Sequence, residues 1–191
     1  MIDYLEHRPG IITLPLLDQS ICETIIDLCN EQGMWKQAGV VGQASQGHDH
    51  VATEVRSATL NAFRQGTDVW NLLHPKVDEI VRPLVRRQWH RDFSIHSEFQ
   101  VVRYHPGDFY KAHRDSGPYN PDRYFSVVFY LNDDFQGGGT YFPDADYTVV
   151  PVQGQALLFP SDYLHHAERV LEGTKYIAVT WMLGQPPTQW I

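Results

Sequence analysis

His113 and Asp115 stand two residues apart at the end of the run Tyr-His-Pro-Gly-Asp-Phe-Tyr-Lys-Ala-His-Arg-Asp that begins at Tyr104. On a β-strand, residues i and i+2 point to the same face, roughly 6–7 Å apart along the chain. An imidazole and a carboxylate held that way can grip one metal ion from one side. A third ligand would come from a neighbouring strand, and His165, some fifty residues downstream, is the first candidate. Two imidazoles and one carboxylate on one face of an octahedral ion leave the opposite face open to reactants, the ligand pattern of mononuclear non-haem iron chemistry.

The chain holds 10 histidines, so chance pairs must be weighed against this one. His48 and His50 are also two apart, but in a stretch rich in Gly, Gln and Ser. His90-Arg91-Asp92 repeats His113-Arg114-Asp115 letter for letter, yet it follows a helical pattern, where i and i+2 diverge. His96-Ser97-Glu98 is a further pair. A protein-kinase reading of His-Arg-Asp fails, because no glycine-rich loop, Asp-Phe-Gly or matching lysine accompanies it.

The elements that must position these groups divide the chain near residue 92. Before it the pattern is helical. Asp18 suits an N-cap, Ile21, Cys22, Ile25, Ile26, Leu28 and Cys29 form an apolar face, and Gly33 suits the end of that helix. A second helical region spans Asp68 to Trp89, with Pro75 suited to a first turn and Pro83 demanding a kink or a second helix. Val40 to His50 has no period and reads as a loop, a candidate lid. After Phe93 short apolar or alternating runs take over: Glu98–Tyr104, Phe109–Ala112, Tyr124–Asn132, Thr140–Phe142, Tyr147–Val150, Ala156–Phe159 and Lys175–Leu183. Turn residues such as Pro106-Gly107, Gly137-Gly138-Gly139 and Gln153-Gly154 punctuate them. The expected class is mainly β with flanking N-terminal helices (α+β), a jelly-roll or cupin-like double-stranded β-helix. The expected organisation is one domain over 1–191, with helical support and a lid in 1–92 and the jelly-roll core in 93–191.

At 191 residues the chain needs neither disulfide nor structural metal to fold. Cys22 and Cys29, roughly 10 Å apart on a helix, cannot pair and suit a reducing compartment. A net charge of −8 without a basic cluster argues against nucleic acid or an anionic membrane as partner. With no signal-like start and no apolar run of about 18 residues, a soluble, cytoplasmic protein is expected.

The strand-rich half also carries an ordered series of blocks: Tyr104-x-x-Gly107-x-x-Tyr110-x-x-His113-x-Asp115; Arg123 ahead of Phe129-Tyr130-Leu131-Asn132; Gly137-Gly138-Gly139-Thr140-x-Phe142-Pro143; Pro151-x-x-Gly154-x-Ala156-x-x-Phe159; and His165, Val170, Gly173 and Lys175. In this the chain resembles the prolyl 4-hydroxylase-like branch of the Fe(II)/2-oxoglutarate-dependent dioxygenases over about residues 99–183. Val55-Arg56-Ser57 also looks like the end of that family's N-terminal region. The family places its last metal ligand ten residues before the basic residue that holds 2-oxoglutarate, which selects His165 over His166.

The resemblance implies Fe(II) on His113, Asp115 and His165, with 2-oxoglutarate and O₂ as cosubstrates and ascorbate as a reductant. It implies that Lys175 holds the distal carboxylate of 2-oxoglutarate, helped by Tyr130, and that Tyr104 lines the cosubstrate pocket. Arg123 matches a position associated with substrate recognition, although Arg123 and Tyr130 fall on opposite faces of a straight strand unless a bulge intervenes. Trp181 shares parity with Lys175, Ile177 and Val179, so it faces the interior as a wall of the substrate space or as core. The implied reaction hydroxylates an unactivated C–H bond, releasing succinate and CO₂, with a prolyl residue of a peptide or protein as the leading substrate. A hydroxylase of a free amino acid or other small metabolite is the alternative. A non-catalytic barrel binding a metal or small ligand comes third, since it would need the triad or Lys175 to be compromised.

Overall fold

The structure is a computed structural model and describes residues 3–41, 49–93 and 95–184. Its first half contains β1 (Leu5–Arg8), β2 (Ile11–Pro15), α1 (Gln19–Gln32), β3 (Lys36–Gln37), β4 (Gly39–Val41), β5 (Asp49–Val51), β6 (Thr59–Phe63), α2 (Asp68–Lys76) and α3 (Arg82–Trp89). The second half contains β7 (Ile95–His96), β8 (Phe99–Tyr104), β9 (Tyr110–His113), β10 (Arg123–Tyr130), β11 (Gln136–Gly137), β12 (Thr140–Phe142), β13 (Tyr147–Val149), β14 (Gln155–Pro160), β15 (His165–Ala167), β16 (Val170–Glu172) and β17 (Lys175–Leu183).

The major sheet runs β1-β2-β14-β10-β17-β8-β6-β3, with β7 added beside β17, and every pairing is antiparallel. A four-stranded sheet, β13-β12-β15-β9, supplies the second wall. Both faces of the major sheet are covered. Phe125, Val127 and Phe129 of β10 and Ala178 and Met182 of β17 join one cluster with Cys22, Ile25 and Cys29 of α1, Leu73 of α2 and Leu84 of α3. The alternate residues, Val128 and Tyr130 with Ile177, Val179 and Trp181, meet Phe142 and Val149 of the smaller sheet. A strand buried on both faces reads as an almost unbroken apolar run, which is why β10 and β17 stand out in the sequence. Two facing antiparallel sheets with helices packed outside one of them form the expected jelly roll.

The N-terminal part is not purely helical support. β2 and β6 are integral strands of the major sheet, pairing with β14 and β8. Their sequences, Ile-Ile-Thr-Leu-Pro and Thr-Leu-Asn-Ala-Phe, are only five residues long, and their partners, β14 and β8, are remote in the chain. The helices follow expectation more closely. Asp18 sits at the N-cap in an extended conformation, although its side chain makes no cap hydrogen bond, and Gly33 closes α1 with φ 63°. Pro75 lies in the last turn of α2 and not the first, and a π-helical turn, Val77–Val81, leads into α3. That wider turn directly precedes Pro83, whose missing N–H removes one helical bond. Val40 to His50 is flanked by a short antiparallel pair, β4 and β5, while 42–48, including His48, fall outside the described residues. No described helix is long and apolar enough to cross a membrane.

Gly154 ties the two halves together. Its N–H donates to the Tyr130 carbonyl, and its carbonyl accepts from Leu16 and Leu17 at the start of the first helix. Its φ is +82°, and a Cβ there would lie 2.2 Å from the Leu17 carbonyl oxygen. Gly66 has φ +91° but nothing within 4 Å of such an atom. Gly66→Ala is therefore expected to cost about 1 kcal/mol from backbone conformation alone, and Gly154→Ala at least about 2 kcal/mol more, from the added clash. Urea denaturation of the two variants measures the difference.

Candidate functional site

His113, the last residue of β9, lies directly across from His165, the first residue of β15. Their ring centroids are 4.3 Å apart. Asp115 follows two residues later but lies past the end of β9, so strand parity does not place it. Hydrogen bonds do. The backbone N–H groups of Asp115 and Ser116 both donate to the Ser161 carbonyl at 2.9 Å. The Ser126 hydroxyl, on β10, donates to Asp115 Oδ2 at 2.6 Å and also meets the Ser161 hydroxyl. Both serines are fully buried. Sequence reasoning missed them, and the only signal was a small polar residue at each site in otherwise apolar strand-rich sequence.

The Asp115 carboxylate lies 3.3 Å from His113 Nε2 through Oδ1 and 3.7 Å from His165 Nε2 through Oδ2. The three ligating atoms lie within 4.8 Å of one another, a cluster able to hold one metal ion. The far nitrogen of each ring is already engaged: His113 Nδ1 with the Lys111 carbonyl at 2.8 Å, and His165 Nδ1 with the Tyr163 carbonyl at 3.0 Å. A carbonyl can only accept, so each Nδ1 carries the proton and each Nε2 presents a lone pair to the cluster. Tyr110 stacks on His113 at 3.6 Å and Phe159 sets its edge against His165 at 4.7 Å, so both rings are held in orientation.

Electrostatics suit a cation. Burial pushes the His165 pKa down to about 4, against the opposing pull of Asp115, which leaves the ring neutral at ordinary pH. Burial alone would raise the Asp115 pKa, but the neighbouring His165 and His113 and the hydrogen bond from Ser126 outweigh it and hold the carboxyl well below its usual range. A neutral His165, a His113 whose Nε2 faces the cluster and an ionised carboxylate, converging on one point, fit Fe(II).

The cluster opens into a cavity of about 280 Å³ that Tyr104, Thr140 and Lys175 also line, together with Arg56, Arg123 and Trp181. Lys175 is 1% exposed. Its ammonium donates to the Gly138 carbonyl and lies 5.4 Å and 5.8 Å from the ring centres of Tyr104 and Tyr130. Desolvation pushes its pKa down to about 7, against a weak pull from Glu168, and it has no ion pair with a carboxylate among the described residues. Tyr130 is fully buried beneath it, its hydroxyl sharing a 3.0 Å hydrogen bond with Thr140. From sequence Thr140 appeared only within the Gly137-Gly138-Gly139-Thr140 block, with no role of its own.

Arg123 enters the cavity because the β10–β17 register shifts between Arg123 and Phe125, the kind of irregularity that overturns simple strand parity. Its guanidinium lies 3.7 Å from the centre of the Trp181 ring. Trp181, Val179, Ile177 and Lys175 alternate along the cavity side of β17. His166 points elsewhere, against Tyr141. The rival pairs have other partners. His90 caps α3 with φ 51°, Asp92 pairs with Arg86, His96 bonds to His74, and Glu98 pairs with Arg64.

Residues 99–183 match the model of the 2OG-Fe(II) oxygenase superfamily. Over 111 residues the chain is 37% identical to prolyl 4-hydroxylase 1 of Arabidopsis thaliana, covering 44% of this chain and 39% of that one. The viral collagen prolyl hydroxylase of Paramecium Bursaria Chlorella virus-1, solved as a 2OG complex, superposes with a TM-score of 0.71 at 20% identity, over 92% of this chain and 96% of that one. A Trichoplax adhaerens prolyl hydroxylase, solved with a hypoxia inducible factor peptide fragment, gives 0.73 at 19% identity, over 92% and 84%. At these identities the structural likeness speaks to the fold. The chain spans 62%, 39% and 36% of the length of three curated relatives it matches.

The buried imidazole has a consequence for the metal-free protein. The His165 pKa near 4 lies below the ordinary 6.5, so the unfolded chain binds a proton in that window that the folded one refuses. Stability therefore falls as pH drops from about 6.5 to 4, by up to about 1.4 kcal/mol per pH unit from this group. Asp115 acts in the same direction, but only below its unfolded pKa of about 4. Urea midpoints at pH 6.5, 5.5 and 4.5 should decline, and His165→Gln should flatten the slope.

Proposed function

We propose that the chain is a member of the 2OG-Fe(II) oxygenase superfamily, whose model matches residues 99–183, and that it is an Fe(II)- and 2-oxoglutarate-dependent hydroxylase acting on a prolyl residue of a peptide or protein. The observation that carries this is one cavity holding both parts of the machinery. The convergent His113–Asp115–His165 cluster opens into it, and so does Lys175, a buried ammonium without a carboxylate partner among the described residues.

His113 and His165 supply neutral nitrogens and Asp115 an oxyanion to Fe(II). Bound there, iron with 2-oxoglutarate and O₂ supplies the oxidising power to hydroxylate an unactivated C–H bond, with succinate and CO₂ as coproducts. The protein's own contribution is placement. Ser126 and Ser161 fix the carboxylate, and the Lys111 and Tyr163 carbonyls fix the imidazole tautomers. Lys175 offers its charge to the distal carboxylate of 2-oxoglutarate, and a dicarboxylate offsets the cost of burying that charge. Thr140 lines this end of the site, its hydroxyl paired with that of the buried Tyr130, and Tyr104 walls it. Arg123 and Trp181, in contact with each other, form part of the substrate surface. Apolar walls from Val128, Ile177 and Val179 keep water from the reacting carbon. Gly39 and Val40 of β4 also line the cavity.

Anaerobic loading with Fe(II) and 2-oxoglutarate, followed by O₂ and a proline-containing peptide, should yield succinate together with a gain of one oxygen on the peptide by mass spectrometry. Asp115→Ala should abolish both. Stimulation by free amino acids and never by peptides would move the assignment to a small-molecule hydroxylase.

Lys175 predicts the pH dependence. Its pKa of about 7 means that the ammonium must gain or keep a proton to hold 2-oxoglutarate. The KM for 2-oxoglutarate should therefore rise as pH increases from 7 to 9, approaching about tenfold per unit. Lys175→Arg, charged throughout this range, should lose the dependence, and Lys175→Ala should raise KM by about 10- to 100-fold at pH 7.

A further inference from the structure

Charge in the cavity does not balance once iron and its cosubstrate are accounted for. Fe(II), Asp115, Lys175 and a dicarboxylate offset one another. Arg114, at the rim, is paired with Asp144 at 3.7 Å. Two lining guanidiniums remain, Arg56 and Arg123.

Arg56 is buried and Arg123 half-buried, and both touch only neutral groups. Arg56 is 9% exposed; it donates to the Gly39 carbonyl and stacks over Tyr110 at 4.8 Å. Arg123 donates to the Asp115 backbone carbonyl at 3.4 Å and lies over Trp181. Neither makes an ion pair with a carboxylate among the described residues, and Arg56 is among the groups that disfavour the charge of Arg123. Asp115 and Asp122 pull on Arg123 only from beyond ion-pair range, and Asp115 already serves the metal cluster. A desolvated cation without a partner is costly, and two facing one cavity are more so. Their position is equally specific. Tyr110, the ring under Arg56, stacks on His113, and Arg123 reaches the backbone of Asp115. One guanidinium thus reaches the backbone of a metal ligand, and the other lies over the ring that stacks on a second.

We propose that the substrate presents a carboxylate to Arg56 and Arg123, next to the carbon that is hydroxylated. Paired guanidiniums match a carboxylate through charge-assisted, directional hydrogen bonds. The carboxylate has two chemical sources: an Asp or Glu side chain flanking the target residue, or the α-carboxylate of the target residue itself. The inference rests on the hydroxylase reading of the site and adds the chemical class of what it oxidises.

The test uses matched substrate pairs. Amidated peptides in which Glu precedes or follows a central proline are compared with their Gln counterparts. Peptides ending in proline as the free acid are compared with the same peptides amidated, and free proline with prolinamide. Affinity is measured by calorimetry under argon on protein loaded with Mn(II) and 2-oxoglutarate, and turnover separately with Fe(II) and O₂. In at least one pair the carboxylate form should bind at least about tenfold more tightly. Arg56→Gln and Arg123→Gln should each bring that ratio towards one, while Arg56→Lys and Arg123→Lys keep part of it. A preference confined to the Glu peptides identifies the side-chain source, and one confined to the free acids identifies the α-carboxylate. Equal binding of acid and neutral forms in every pair overturns the inference, even where hydroxylation proceeds. Carboxylate-selective binding that is lost in the Gln variants, without succinate from any substrate, upholds it and overturns the hydroxylase reading instead.

Discussion

A buried carboxylate facing two imidazoles organises this protein. Asp115 is 9% exposed, and an ionised carboxylate in that position is tolerable only if nearly every lone pair is met. Ser126 donates to it from the central strand and the Ser161 carbonyl anchors its backbone, while both histidines turn Nε2 lone pairs towards it, an arrangement that a bound cation would complete. Those partners come from β9, β10, β15 and the turn after β14, so both sheets must be assembled before the carboxylate is satisfied. The same arrangement brings the three ligating atoms within 4.8 Å of one another.

The architecture follows from the demand for two-sided burial. β10 and β17 lie at the centre of the major sheet and serve two layers at once. One set of alternate residues packs against the helices, and the other builds the floor of the cavity. The floor of β17 thus carries Lys175, Ile177, Val179 and Trp181 in a line, from a charged end to an aromatic end. The helices hold the back of the sheet and contribute no side chain to the metal cluster.

Much of this was legible in the sequence, and where it failed the reasons are physical. The strands after Phe93 show because they are buried on two faces and bounded by turn residues. β1, β2 and β6 do not, because such short strands look like linkers until their partners are known. The letters His-x-Asp occur twice, and local pattern separates them only by what surrounds each. Parity placed Trp181 on the cavity side, since β17 is regular over that stretch. It could not place Arg123 beside it, because the intervening bulge is a pairing irregularity and not a property of the residues. Asp115 was assigned to strand geometry, yet it is held by serines that no local pattern marks.

By itself the sequence determined the ligand types, their order along the chain, the spacing from His165 to Lys175 and the apolar periodicity that buries them, all of which are local properties of residue type and separation. Only the tertiary structure decided that His113 and His165 are direct cross-strand neighbours, that Ser126 and Ser161 hold Asp115, and that Arg56 and Arg123 share one cavity without a carboxylate between them. Those facts depend on strand register across long stretches of chain, and register is settled by which faces can be buried together once the sheets meet.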